Sequence, residues 1–178
     1  MMKQITALIL TLFISTGFMS NNKNEYQPSK GKQLLNTIVA NTTKIIKDKY
    51  SLKPSGVGVA MPGGPIQEIT LCFDTKYPYT KEQLRELLIK SSQELLNQVK
   101  DNDEIQEFLN ERPFTIKNVE IIIFNHDKDG SVLKDPQISV ARISQGQLIY
   151  RTNDPEDSFK YKNEFEETYE EALQAINK

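Results

Sequence analysis

The spacing of apolar positions along this chain changes several times, and each change marks an element. From Gly31 to Tyr50 they fall at Leu34, Leu35, Ile38, Val39, Ile45 and Ile46. That spacing predicts a helix with one apolar stripe, stopped by Pro54 and Gly56. The stretch "GVGVAMPGGPIQEITLCFDT" then reads as two short strands around a "PGGP" turn. Glycines weaken the first strand, Gly56 to Met61. In the second, Ile69, Leu71 and Phe73 alternate onto one face, and Glu68, Thr70 and Cys72 take the other.

A long helix follows. Thr80 and Gln83 have capping-box spacing, and Leu84, Leu87, Leu88, Ser91, Leu95 and Val99 form one stripe. "DNDE" breaks it and opens a short helix carrying Ile105, Phe108 and Leu109, which Pro113 stops. The period then drops to two. "FTIKNVEIIIF" is a strand with apolar residues on both faces near its end, which predicts a central strand covered on both sides. "PQISVARI" and "QLIYRT" are two more strands, joined by the tight turn "SQGQ". In "NEFEETYEEALQAI", Phe165, Tyr169, Leu173 and Ile176 recur on one face, predicting a closing helix with Glu residues mostly opposite.

The strands on either side of the long helix should pair in parallel through a crossover, and the last three should form an antiparallel meander. The expected fold is α+β: a two-layer mixed sheet packed with three main helices, with room for one helix to cross to the second face.

The first twenty residues follow another logic. Lys3 precedes the uncharged run "ITALILTLFI", and Ser15 and Gly17 stand where a leader peptidase expects small residues. Residues 1–20 read as a signal peptide, 21–30 as a flexible polar linker, and 31–178 as a single domain. The run is shorter than the ~20 apolar residues of a membrane span, so no stable membrane anchor is expected after cleavage. Cleavage after Gly17 would take the formal charge from -2 to -3, since 22 − 1 − 24 = -3. No basic field results, and nucleic acid is not an expected partner. One cysteine cannot form an internal disulfide, which in an exported chain favours a bacterial source.

Candidate chemistry is sparse. In "NHDKDG", Asn125, Asp127, Asp129 and Gly130 match positions 1, 3, 5 and 6 of a calcium loop. Position 12 is Pro136 instead of a bidentate Glu, and strands flank the loop where helices should. Asn125, Asp127 and Asp129 are therefore weak metal candidates, and a hairpin turn with Gly130 left-handed is the expected reading. Cys72 and His126, each the only residue of its kind, invite a nucleophile–base pair; a mid-strand thiol is more often a small core residue. The glycines of "GVGVAMPGGP" lead into a strand, not the helix N-terminus a phosphate loop needs. An exposed glycine hairpin can instead pair with a partner's edge. Glu164, Glu166, Glu167, Glu170 and Glu171 read as a solvated helix face, or more sharply as a docking surface for a basic partner. Tyr77, Pro78, Tyr79 and Tyr161 are aromatic-rich loop positions suited to contacts or to plugging sheet ends.

The residues thus point to an exported small bacterial domain without catalytic, cofactor or metal centre, acting as an interaction module for a protein partner in the periplasm or outside the cell. The alternative is a hydrolase whose site is assembled from dispersed groups such as Glu68, Glu120, Arg142 and Arg151. That alternative requires them to share one sheet face.

Overall fold

The computed structural model describes residues 28–157 and 159–177. The expected export segment and the linker up to residue 27 lie outside the described residues. The elements run α1 (Lys30–Tyr50), β1 (Lys53–Ala60), β2 (Glu68–Asp74), α2 (Lys81–Lys100), β3 (Val119–Phe124), β4 (Val140–Ser144), β5 (Gln147–Asn153), β6 (Tyr161–Thr168) and α3 (Tyr169–Ile176). The six strands form one sheet in sequence order. β2 and β3 pair in parallel across α2, and every other neighbouring pair is antiparallel. The fold is α+β, with a mixed sheet and three main helices.

The helices all pack on one face of the sheet. Ile69, Leu71 and Phe73 from β2, Ile121 and Ile123 from β3, and Ala141, Ile143, Leu148 and Tyr150 from β4 and β5 point into a single core. Leu35, Ile38 and Ile46 of α1, Leu84, Leu88 and Leu95 of α2, and Ala172 of α3 meet them there. Local chemistry fixes the joints. Thr80 and Gln83 close a reciprocal capping box on α2. Gln145 (φ 52) and Gly146 (φ 77) form the β4–β5 turn, where two successive positive φ values give the twist a two-residue hairpin needs.

Several expected boundaries move. "FTIKN" is not strand: Ile116–Asn118 is a 3₁₀ turn capped by Thr115. Asn118 also donates to the Gln67 carbonyl at 3.1 Å, so local polar side chains capture the backbone before the strand can begin. β4 starts only at Val140, because Gln137 closes a local turn on the Lys134 carbonyl at 2.9 Å. The expected short helix after α2 is present as a 3₁₀ helix, Asp103–Phe108.

The largest difference is at the C-terminus. The expected helix over 163–176 is split, with Tyr161–Thr168 in a sixth strand and only Tyr169–Ile176 helical. Phe165 and Tyr169 are four apart, a spacing that fits a strand face as well as a helix face. Pairing with β5 decides between them, through Tyr150↔Phe165 and Arg151↔Glu164. Thr168 then caps α3 with a full capping box to Glu171. β3 is central, as expected, but only one of its faces is covered by helices. Glu120, Ile122 and Phe124 on the other face are half-buried.

Candidate functional site

The face of the sheet opposite the helices is the principal candidate surface. Its rows can be read from the strand register. One row crosses Cys72, Ile122, Arg142, Ile149 and Glu166, on β2 through β6. The next crosses Asp74, Phe124, Val140, Arg151 and Glu164. Apolar side chains therefore occupy the centre of the face, and charged groups interrupt and border them. No described helix packs over this surface, so Ile122, Phe124 and Val140 are left half-buried.

The charges on this face are paired sideways. Glu120 accepts a hydrogen bond from the Thr70 hydroxyl at 3.0 Å and lies 3.8 Å from Nη1 of Arg142. Nε of Arg142 is buried without a hydrogen-bond partner among the described residues. Arg151 donates to Glu164 and stacks over the Tyr161 ring, 4.8 Å from its centroid. Glu68 accepts from the Gln145 amide at 3.0 Å. The four dispersed groups of the hydrolase alternative do share one face. Only Glu120 and Arg142 are brought together; Glu68 and Arg151 take other partners.

Cys72 lies in the first row, and Asp74 two residues further on lies 3.5 Å from Nε2 of His126. Burial pushes the Cys72 thiol above its ordinary value, and the carboxylates of Glu120 and Asp74 push it further. A nucleophilic cysteine needs the opposite shift.

Asn125 answers the calcium-loop question in structural terms. It is 1% exposed. Its Oδ1 accepts from the Thr75 hydroxyl and the Tyr79 amide, and its Nδ2 donates to the Tyr79 and Ile138 carbonyls. All four hydrogen-bonding positions are taken, so no lone pair remains for a metal. Asp127 and Asp129 cap their own turn, accepting from the backbone of Lys128 and Ser131. Gly130 sits at φ +83 and closes the turn back to the Asp127 carbonyl at 2.9 Å. Among the described residues, no group of three or more potential ligands is placed to hold a metal ion.

A cleft of about 290 Å³ opens at one end of the uncovered face, between Phe124, His126, Val132, Val140, Phe159 and Tyr161. A larger hollow of about 450 Å³ lies beside the start of α2, between Pro78, Tyr79, Lys81, Ile138 and Phe165. Tyr79 is packed against the core, while Tyr77 is 55% exposed. The glutamate row also divides. Glu164 is paired with Arg151, and Glu167 accepts from Arg85 at 2.8 Å and from the Tyr150 hydroxyl at 2.5 Å. It is not one solvated helix face.

Ile122, Phe124, Val140 and Ile149 were not singled out by sequence reasoning. Their signal was present: β3 is apolar on both faces, while the helices suffice for one layer only. No family model, curated protein or solved structure matches the chain.

Proposed function

We propose that this protein is an exported, non-catalytic interaction domain that binds a protein partner on the uncovered face of its sheet. The observation that carries the reading is the apolar centre of that face, formed by the half-buried Ile122, Phe124 and Val140 beside the buried Ile149. Central apolar residues with a charged border are the composition of a protein-binding patch. The side chains rise from hydrogen-bonded strands, so the patch is preorganised and little ordering cost accompanies docking. Export is supported by the pattern of residues 1–20, and the periplasm or the extracellular space is the proposed location.

The test is capture of one stoichiometric protein by the processed domain from the exported fraction of its native cells. Ile122→Glu places a charge at the centre of the patch and should abolish capture; because Ile122 is half-buried the melting temperature should fall by a few degrees, with the variant still folded at the assay temperature. Retention of the partner by Ile122→Glu would count against the reading. N-terminal sequencing of the native product should give a start after Gly17; an intact first Met in a cytosolic fraction would remove the export half of the proposal.

The hydrolase alternative is favoured by one observation, the approach of Glu120 and Arg142 on the same face. It predicts that Glu120→Gln abolishes turnover of a co-purifying small molecule while protein capture is unaffected.

A further inference from the structure

The two edges of the sheet are built differently. β6, the last strand, has the sequence "YKNEFEET" and carries Lys162, Glu164, Glu166 and Glu167. Charges of this density protect an edge against further pairing. β1, at the other edge, carries such devices only at its start, in Lys53 and an irregularity of register between Pro54 and Gly56. From Pro54 to Gln67 the chain contains no charged residue. Pro54 stands at the strand's start, where it blocks nothing beyond it.

The glycines of β1 have a reason within the molecule. A Cβ on Gly58 would lie 3.2 Å from that of Thr70, and one on Gly56 would lie 3.4 Å from that of Cys72. Side chains of β2 therefore lean over β1 on the uncovered face. No such internal reason explains the valines between them. Val57 and Val59 pair across to Leu71 and Ile69, so they face the helical layer. Those partners are fully buried, whereas Val57 is 55% and Val59 36% exposed. The helices stop short of the edge strand and leave two β-branched residues on its margin. Met61, 43% exposed, continues the apolar margin past the strand's end.

We infer that β1 is a self-association edge whose occupant is β1 of a second copy of this chain. Antiparallel pairing about a two-fold axis is self-complementary. With the axis normal to the sheet, corresponding faces stay on the same side, and Val57 and Val59 of one copy meet their counterparts in the helical layer. Charge favours this direction. Lys53, opposite Asp74 in the register, is the one charged side chain of β1 and stands at its start. Antiparallel pairing sets the two Lys53 side chains at opposite ends of the seam. Parallel pairing would set the two Lys53 side chains together. The dimer is a continuous twelve-stranded sheet, twice the six strands of one copy, with two charge-protected β6 edges outermost. The uncovered faces become one surface, but the inference does not depend on what binds there.

The test is sedimentation of the purified protein, its N-terminus as the cell leaves it, over about 1 to about 100 µM. A reversible monomer–dimer equilibrium is expected. Val57→Lys should shift the midpoint at least about tenfold toward monomer, whereas Phe165→Lys on β6 should leave it in place. Hydrogen exchange of the unsubstituted protein keeps the inference testable should Val57→Lys fail to fold: alternate β1 amides should gain protection as concentration rises. A monomer throughout the range, a dimer unaffected by Val57→Lys, or β1 amides indifferent to concentration would overturn it.

Discussion

Asn125 shows how one side chain can imitate a metal ligand in sequence and do something else in the fold. It joins three segments that meet beyond the ends of β2 and β3: Thr75, the Tyr79 peptide unit and Ile138. Asn125→Ala would leave several buried backbone groups without partners, each worth about 1–3 kcal/mol. A loss of about 3 kcal/mol in denaturant unfolding is expected. Asp127→Asn, in an exposed turn, should cost under about 0.5 kcal/mol. Added calcium should leave the unfolding midpoint of the unsubstituted protein where it was; a clear rise would show that the loop holds the ion after all.

At the scale of elements, the C-terminal segment carries the main lesson. Glutamate favours helices intrinsically, and spacings of four suit both periods. The signal that separates strand from helix is Thr168 with Glu171 three residues later, a capping box in the middle of the expected helix. The strand side is decided by contacts no local pattern contains. Arg85 of α2 and Tyr150 of β5 both donate to one oxygen of Glu167 on β6. The ion pair is largely buried, its side chains 16% and 14% exposed. Removing one member strands the other's charge. Glu167→Gln should therefore destabilise by about 2–4 kcal/mol, and the double variant Arg85→Met/Glu167→Leu should recover most of that loss. Equal losses in the single and double variants would show that the cost lies in packing, not in a stranded charge. The capping of α2 and the turns "PGGP" and "SQGQ" were legible because each is set by residues within four positions of one another. The end of β3 was misread in one respect only: two apolar faces suggested two covering layers, and the helices supply one.

For the whole molecule, ionisation sets the limits of stability. The Lys49 ammonium, aided by the Tyr50 hydroxyl, holds the Glu94 carboxyl below its ordinary value despite partial burial. Bonds from Thr152 and Asn163, and then Lys162, do the same for Asp135. A depressed carboxyl stabilises the fold above the unfolded-state value near about 4, and the contribution is lost as pH falls through the folded value. At the other extreme, burial and then Glu94 push Tyr50 up to about 12. Burial and then Glu167 raise Tyr150 further still. A raised phenol stabilises the fold below the unfolded value near about 10 and loses that contribution as pH rises beyond it. The melting temperature should therefore be level between about pH 5 and about pH 9 and fall on both sides. The share of phenolate absorbance that Tyr50 and Tyr150 contribute should appear with alkaline unfolding, not before it.

The uncovered sheet face is also a whole-molecule property. It arises because three helices pack on one side of six strands, and no local pattern of residues announces which side stays open. Cys72, half-buried in the central row of that face, is the chain's only thiol and so reports on it directly. The decisive measurement is the rate of Cys72 alkylation in the native cell fraction that contains the protein, compared with the rate in the purified protein. Occupancy of the face predicts slower labelling in the native fraction, and equal labelling in both settings once Ile122→Glu is introduced. The same rate for the unsubstituted protein in both settings would contradict a partner seated on the open sheet.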